Sequence, residues 1–382
     1  MIAVFLIGAA LVLLVHAWWY GRNWMRNLSV LVLFSRPHVY AGEIVELTEQ
    51  IENRKRMALP VTEIGFRLPR GLHFEEAENT QESDYIYKRD LFAVSGMERI
   101  IRRYHITAQR RGHYSVSQLT CHIPSRLYQS TWRMDIDPPQ EDSGLYVYPA
   151  NIDCSLLLQS VEVLLGEQEC ARRLYEDPFV FSSIRPYTIQ DPMKAVNWKA
   201  TARAGSLMVN TFASTAAVRI TIYLDLSLDP GNPDADDMRE LGIAQAASLI
   251  RRLVRSQRDA ALAVNYAPAG NCVRFESCMG AEKLTAVETF LTTDFAPAFL
   301  CPFTDLLQQN ALSGRRLSRS GAGSQMEVSL FLTCSDSPVL RAAIRRVLGP
   351  QGSGVLALLS RSSNQRQARQ EHNLRIITLQ RV

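Results

Sequence analysis

The chain has 382 residues, enough for two domains beyond any anchor, and its 47% hydrophobic and 21% charged content is that of a globular protein rather than a disordered tail. A net charge of +4 is too small to argue for a nucleic-acid partner. Seven scattered cysteines, odd in number and without a C-x-x-C pair, argue against a disulfide framework or a cysteine metal site and suit a reducing compartment.

Residues Met1 to Tyr20 form a nearly unbroken apolar run, long enough to cross a bilayer, with His16 its one strongly polar residue. Trp18, Trp19, Tyr20 and Trp24 read as an interfacial aromatic cluster at one end. Arg22 and Arg26 follow, and no basic residue precedes the run. The excess of basic residues on that side places the N-terminus outside and the body in the cytoplasm, with a single span in the inner membrane. The competing reading is a cleaved signal peptide with Val15-His16-Ala17 as its small-x-small site, which would make the protein a periplasmic binding module. The missing basic n-region weakens it.

From residue 27 to about 150 the chain reads as strands. Leu28 to Phe34 is β-rich, Glu43 to Ile51 and Val61 to Leu68 alternate apolar and polar, and Ile100 to Ala108, Tyr114 to Ile123 and Tyr146 to Tyr148 follow. Turns at Pro69-Arg70-Gly71 and Arg110-Arg111-Gly112 space them, so an antiparallel β-sandwich is expected. Asp135 to Ser143 is polar and holds prolines, a loop or hinge. Residues 151–205 read as a connector. Its first half, Asn151 to Glu176, is mixed, with apolar Leu156, Leu157, Val161, Val163 and Leu164.

The second half of that connector holds cations among aromatics and two Asp-Pro pairs: Arg185, Lys194, Lys199 and Arg203 beside Tyr187 and Trp198. Each Asp-Pro favours extended or turn geometry. Ala195 to Ala204 has helix formers and no Gly or Pro, so one short helix is expected there. Lys199 and Arg203, four apart, share a face of it, and Trp198 and Ala202 share the next. One reading is a packed connector whose Trp198 is buried and whose cations meet carboxylates. The other is a surface for a protein partner or an anion, since Arg forks and an exposed Trp favour recognition.

Residues 206–382 alternate strands with helices, an α/β sheet covered on both sides. Strands are expected at Val218 to Leu224, Ala260 to Tyr266, Glu327 to Thr333, Gly354 to Leu359 and Leu374 to Leu379. Helices are expected at Asp236 to Gln257, Ala281 to Phe290, Phe303 to Asn310 and Pro338 to Leu348. Ser313 to Gln325 is a polar Gly/Ser/Arg loop. The first strand ends in Asp225-Leu226-Ser227-Leu228-Asp229, and ligands of open α/β sheets gather beyond such ends. Asp225 and Ser227 match the first two positions of the D-x-S-x-S metal motif of von Willebrand factor A domains, with Asp229 at the third. Asp336, after a later strand, is the second acid, with Thr292 or Thr304 as a further hydroxyl. Oxygen donors on one rigid turn would suit Mg²⁺, but the set is partial, and capping without metal is the plainer reading. H-E-x-x-H, G-x-S-x-G and a Gly-rich phosphate loop are all missing, so an enzyme reading, for instance a metal-dependent hydrolase of the cell envelope, lacks a catalytic set.

Arg185-Pro186-Tyr187, Asp191-Pro192, Val196-Asn197-Trp198-Lys199-Ala200-Thr201-Ala202-Arg203 and Leu207-Met208-Val209 together resemble the signature of the domain of unknown function 58 family, with Gln190 where the family has Gly. The resemblance implies a membrane-anchored bacterial protein with an immunoglobulin-like sandwich, marked here by Gly42-Glu43, Glu52-Asn53 and Arg111-Gly112-x-Tyr114, and a von Willebrand factor A-like α/β domain. Such relatives carry two membrane spans where this chain shows one. It also implies partners: MoxR-type AAA+ ATPases and other von Willebrand factor A-domain proteins, in a chaperone or assembly system. The expected role is therefore an adaptor, with Arg185, Tyr187, Asp191, Asn197, Trp198, Lys199 and Arg203 at a partner-binding or interdomain surface. The expected layout is an anchor over 1–26, a sandwich over 27–150, the connector over 151–205 and the α/β domain over 206–382.

Overall fold

The structure is a computed structural model that describes residues 2–75, 80–82, 85–125, 130–136, 144–173, 181–189, 191–212, 219–227, 233–309, 327–349, 352–360, 369–371 and 373–380. Two compact units are present, Met1–Asn151 with Glu288–Asp294, and Ile152–Val287 with Phe295–Val382.

The first unit opens with helix α1 (Ile2–Asn23), whose stretch Val4–Asn23 is long and apolar enough to cross a membrane. Its last turn runs into the sandwich. Trp24 is only 5% exposed and belongs to the sandwich core, with Tyr20 and Met25 packed against that core. Trp24 was expected at a bilayer interface beside Trp18 and Trp19, and only those two stay exposed. The Lys55 ammonium donates to the carbonyls of Trp24 and Arg26, which ties the helix end to the domain.

The sandwich strands are β1 (Leu28–Phe34), β2 (His38–Tyr40), β3 (Ile44–Asn53), β4 (Leu59–Pro69), β5 (Leu72–Phe74), β6 (Thr80–Glu82), β7 (Tyr85–Val94), β8 (Glu98–Ala108), β9 (Gly112–Ser115), β10 (Ser117–Ser125), β11 (Ser130–Ile136) and β12 (Gly144–Tyr148). They form antiparallel sheets β1-β3-β8-β5 and β11-β10-β4-β7-β6 and a small sheet β2-β12-β9, in which β2 runs parallel to β12. Inward residues of all three sheets share one core. The run expected as a single strand from Tyr114 to Ile123 is two. Gln118 has φ +51° and the β4–β10 register shifts between Ser117 and Thr120, so β9 and β10 join different sheets. Tyr114 donates to the Arg110 carbonyl at 2.8 Å, a tyrosine corner. Gly71, at φ +113°, makes room for it: a Cβ there would lie 2.2 Å from the Tyr114 hydroxyl.

One patch of this core is charged. Glu49 (β3), Lys88 and Asp90 (β7) and Tyr104 (β8) are all buried. The Tyr104 hydroxyl lies 3.1 Å from Glu49 Oε2 and 2.9 Å from Asp90 Oδ2. Lys88 Nζ stands 4.0 Å from Asp90 and 4.6 Å from the Tyr104 ring centre, and Arg102 reaches Asp90 at 3.5 Å from the rim.

The second unit begins with α2 (Ser155–Arg173), where a mixed connector was expected. Leu157, Val161, Leu164 and Leu165 fall at helical spacing and are buried, and the helix packs on the sheet described next. Ile152 N–H donates to Ser248 Oγ at 3.0 Å, and the Gln245 side chain donates to the Asp153 carbonyl at 3.2 Å, fixing its start. Next come β13 (Phe181–Pro186), α3 (Trp198–Ala204) and β14 (Met208–Phe212), then β15 (Arg219–Leu224), α4 (Ala235–Arg255), β16 (Ala260–Val264), β17 (Arg274–Phe275), α5 (Ala281–Leu291), α6 (residues 303–309), β18 (Glu327–Thr333), α7 (Pro338–Leu348), β19 (Ser353–Ser360), β20 (Arg369–Glu371) and β21 (Leu374–Gln380). Ser313 to Gln325, expected as a loop, lies outside the described residues.

The large sheet has the order β17-β16-β15-β18-β19-β21-β20. Its five central strands are parallel and its two edges antiparallel. Central strands buried on both faces favour apolar residues on both, which is why RITIYL, AALAV and EVSLFLT read as near-continuous apolar runs. Side chains of α6 and α7 pack in one cluster with Tyr223, Phe331, Leu356 and Ile376. α4 packs so closely on the sheet that a Cβ on Gly242 would meet Leu359 at 2.8 Å. Successive connections leave β15 in opposite directions, to β16 and β18, so the sheet has a topological switch between β15 and β18.

Candidate functional site

Two places carry the residues singled out in the sequence. The first is the β13–α3–β14 module. β13 and β14 pair antiparallel, with Arg185 opposite Val209, and the chain between them folds back on this hairpin. Arg185 grips the Asp191 carboxylate with two bonds, Nη1 to Oδ2 at 2.6 Å and Nη2 to Oδ1 at 2.5 Å. Asp191 also accepts from the Thr188 amide and hydroxyl, each at 2.8 Å. The Arg185 bonds, then those from Thr188, hold its carboxyl well below the usual carboxylate range.

Asn197 then starts the helix. Its Oδ1 accepts from Ala200 N–H at 3.0 Å and its Nδ2 donates to Asn210 Oδ1 at 2.7 Å. The helix therefore begins at Trp198 rather than at Ala195. Met193–Ala195 is a separate 3₁₀ turn, and Val196 bridges Val209 in a β-bridge, which no helical residue could do. Thr201 Oγ1 accepts from Met208 N–H at 3.0 Å, and Gly205, at φ +70°, ends the helix in the left-handed region. Tyr187 N–H donates to Leu207 at 2.9 Å.

Arg185, Asp191, Asn197 and Thr201 thus build the module, and others face outward. Trp198 is 65% exposed, Ile189 97% and Met193 58%, with Phe181, Ile184 and Leu207 also exposed. Lys194, Lys199 and Arg203 are exposed on the same module. Of the two readings of Trp198, the buried one is corrected: it sits first in α3, next to its cap, and is exposed, while Val196 and Val209 are the buried apolar pair. Gln190 lies outside the described residues.

The second place is the carboxyl end of β15, beside the sheet's switch point. Asp225 is 4% exposed. Its Oδ1 accepts from the Ser227 amide at 3.0 Å and from Asn265 Nδ2 at 2.9 Å, and its Oδ2 accepts from the Thr333 hydroxyl at 2.7 Å. Burial pushes its carboxyl above the ordinary range, while the Thr333, Ser227 and Asn265 bonds act the other way. Asn265 follows β16 directly, and Thr333 closes β18. Neither was singled out in the sequence, although Asn265 is the first residue after β16 and Thr333 the last of β18, the positions where sheet ends meet.

The orientation of Asn265 decides what this site can hold. Its Oδ1 accepts from Leu226 N–H at 2.7 Å, so its NH₂ must face the other way. That NH₂ also lies 2.9 Å from Ser227 Oγ and 3.1 Å from the Cys301 carbonyl. A divalent cation between Asp225 and Ser227 would meet these hydrogens, and Mg²⁺ requires oxygen donors. Asp336 is not part of the set, because Arg341 takes both of its oxygens at 2.7 Å. The Thr292 hydroxyl is likewise engaged, donating to Thr289 at 2.7 Å. Asp229 lies outside the described residues. Among the described residues no group of three or more His, Cys, Asp or Glu is arranged to hold a metal. The donor set shown does not fit Mg²⁺.

No protein-family profile matches this chain, and no curated protein matches it. Among solved structures it is similar to the CARDB domain of a Pyrococcus furiosus protein, crystallised with di-metal ions, at 12% identity over 31% of this chain and 87% of that one, with a TM-score of 0.19. It is similar to the seventh ScaB type I cohesin from Pseudobacteroides cellulosolvens at 10% identity over 32% and 94%, with a TM-score of 0.22. A non-cellulosomal cohesin from Archaeoglobus fulgidus matches at 9% over 35% and 97%, with a TM-score of 0.21. Likeness at this level says nothing of role.

Proposed function

We propose that the protein is a membrane-anchored, non-enzymatic adaptor of the domain of unknown function 58 kind. Its sandwich is immunoglobulin-like, its second unit is von Willebrand factor A-like, and a MoxR-type AAA+ ATPase docks on it. The observation that carries this reading is the outer surface of the β13–α3–β14 module. Six large apolar side chains and three cations are exposed there on a backbone pinned by the Arg185–Asp191 pair and the Asn197 cap. A rigid surface of exposed aromatic and aliphatic anchors beside cations is what protein recognition needs, because little side-chain and backbone freedom is lost on binding. The sheet order supports the von Willebrand factor A-like assignment: counting β15 as first strand, it is 3-2-1-4-5-7-6, with the third and sixth strands antiparallel at the edges. The tyrosine corner at Tyr114 supports the immunoglobulin-like one. In this reading α1 crosses the inner membrane once, with Arg22 and Arg26 on the cytoplasmic side.

The test is a pull-down with detergent-solubilised full-length protein, with and without ATP, followed by identification of what is retained. An AAA+ ATPase retained by the wild type and lost from Trp198→Ala and Ile189→Ser proteins supports the reading. Retention unchanged by both substitutions removes the module from it. Protease added outside intact spheroplasts should spare everything beyond Arg26, and digestion of the body would reverse the topology.

A further inference from the structure

The seven cysteines form no sequence pattern, yet two of them meet. Cys272 Sγ and Cys301 Sγ, 29 residues apart in the chain, stand 2.7 Å from each other, and both thiols are partly buried. This is inside ordinary sulfur contact, and less than about 1 Å of movement separates it from a bond of about 2.05 Å. The surrounding backbone holds the pair in place. Val273 N–H donates to the Tyr266 carbonyl at 2.9 Å, directly after Cys272. On the other side Cys301 N–H donates to the Asn265 carbonyl at 3.1 Å, and Leu300 bridges Tyr266. Both cysteines therefore ride on segments fastened to Tyr266, and that of Cys301 is fastened to Asn265 as well. The Cys301 carbonyl also accepts from the Asn265 side chain at 3.1 Å, which links the pair to the strand-end cluster around Asp225.

We infer that Cys272 and Cys301 are a disulfide-forming pair, closed by a small-molecule disulfide and locking the loop that carries Asn265's partner carbonyl. Cys301 is assigned the first attack. Its thiolate displaces one thiol from the small disulfide and is left as a mixed disulfide. Cys272 then attacks the Cys301 sulfur and displaces the second thiol. Two protein thiols are oxidised, one small disulfide is reduced to two thiols, and the two thiol protons end on those products. The order follows from the surroundings of Cys272: burial, the Cys301 sulfur and nearby Asp305 push its thiol up to about 12, so it is a poor first nucleophile, and the push from the Cys301 thiolate is gone once Cys301 is a mixed disulfide. The inference does not depend on the adaptor reading, since it rests on the α/β unit alone.

Full-length protein in detergent, treated with oxidised glutathione, alkylated and digested without reductant, tests this by mass spectrometry. The expected product is a Cys272–Cys301 cross-linked peptide two hydrogens lighter than the separate peptides. A rise of roughly 5–10 °C in melting temperature should accompany it, reversed by dithiothreitol. Cys272→Ser protein should stop as a glutathione adduct on Cys301. Alkylation of both positions in the oxidised wild type, or cross-links only between other cysteines, would overturn the inference.

Discussion

Glu49 in the sandwich and Asp225 at the end of β15 are both carboxylates shut away from water, yet their surroundings differ in kind. Asp225 accepts from three donors: the Ser227 amide, the Thr333 hydroxyl and the Asn265 NH₂ together cover both oxygens. Glu49 has one such contact, the Tyr104 hydroxyl, while its Oε1 has no hydrogen-bond partner. Tyr104 has a single hydrogen to share between Glu49 and Asp90, so the second hydrogen in that chain of oxygens falls to Glu49. Burial, then the Asp90 charge, push the Glu49 carboxyl up to about 8 accordingly. Burial raises both carboxyls, but donors on both oxygens oppose the rise at Asp225, whereas Glu49, with one such contact, keeps its proton.

The largest expected effect comes from breaking the donor shell. Asn265→Ala removes the acceptor for Leu226 N–H and the donor to Asp225, Ser227 and Cys301, all in a buried place. Unfolding in urea should show a loss of about 2–5 kcal/mol, because a carboxylate left short of donors keeps its full desolvation cost. A loss under about 1 kcal/mol would mean water replaces the amide. The same shell predicts that millimolar Mg²⁺ leaves the wild-type melting temperature unchanged, since a ligand stabilises only the state it binds. A clear rise with Mg²⁺ would show that Asn265 turns aside and the site takes metal after all.

The next effect belongs to Glu49 and shows as a pH dependence of stability, with the same sign that the raised Asp225 carboxyl gives. An ordinary glutamate releases its proton near 4.5, and Glu49 in the folded chain releases it near 8. Between those values the folded state holds a proton that the unfolded state has lost, so stability falls as pH rises. The slope reaches at most about 1.4 kcal/mol per pH unit, and the loss is complete above pH 8. Asp90, Tyr104, Arg102 and Lys88 all face this carboxyl, and the last three lessen the shift. Glu49→Gln keeps a hydrogen for Tyr104 and carries no charge, so its sandwich should lose this slope. Denaturation curves at pH 5 and pH 8 compare the two proteins, and equal pH dependence in both would show that Glu49 does not hold the proton.

These two regions also show what could be read from the chain. Strands β15, β16 and β18 were legible because burial on both faces makes them mostly apolar, with Thr221, Ser329 and Thr333 the buried polar exceptions. Strand β7 was not, because its inward residues include Lys88 and Asp90, which break the alternation that marks a half-buried strand. Helix α2 carried its period openly in Leu157, Val161 and Leu164, but Gly166 and the charged end beyond it disguised its length. Asp225 and Ser227 could be found from their spacing. Asn265 and Thr333 could not, since they are 40 and 108 residues from Asp225 and only the strand order brings them there. The signature residues were legible as a group, and their division into builders and outward-facing residues was not.

That division yields the smallest expected change in stability and the sharpest test of the surface. In α3, Asn197 and Trp198 are adjacent, yet one is bonded twice through its side chain and the other is 65% exposed. Trp198→Ala removes little buried area and places the better helix former at the first helical position. Its unfolding free energy should stay within about 0.5 kcal/mol of wild type. Asn197→Ala removes a cap and leaves Asn210 without its partner, and should cost about 1 kcal/mol or more. The contrast between neighbours matters more than either value. If Trp198→Ala folds as wild type and loses retained protein in the pull-down while Asn197→Ala loses stability first, the module is a scaffold presenting Trp198. If Trp198→Ala is the more destabilising of the two, the side chain is packed in solution and the docking surface must lie elsewhere.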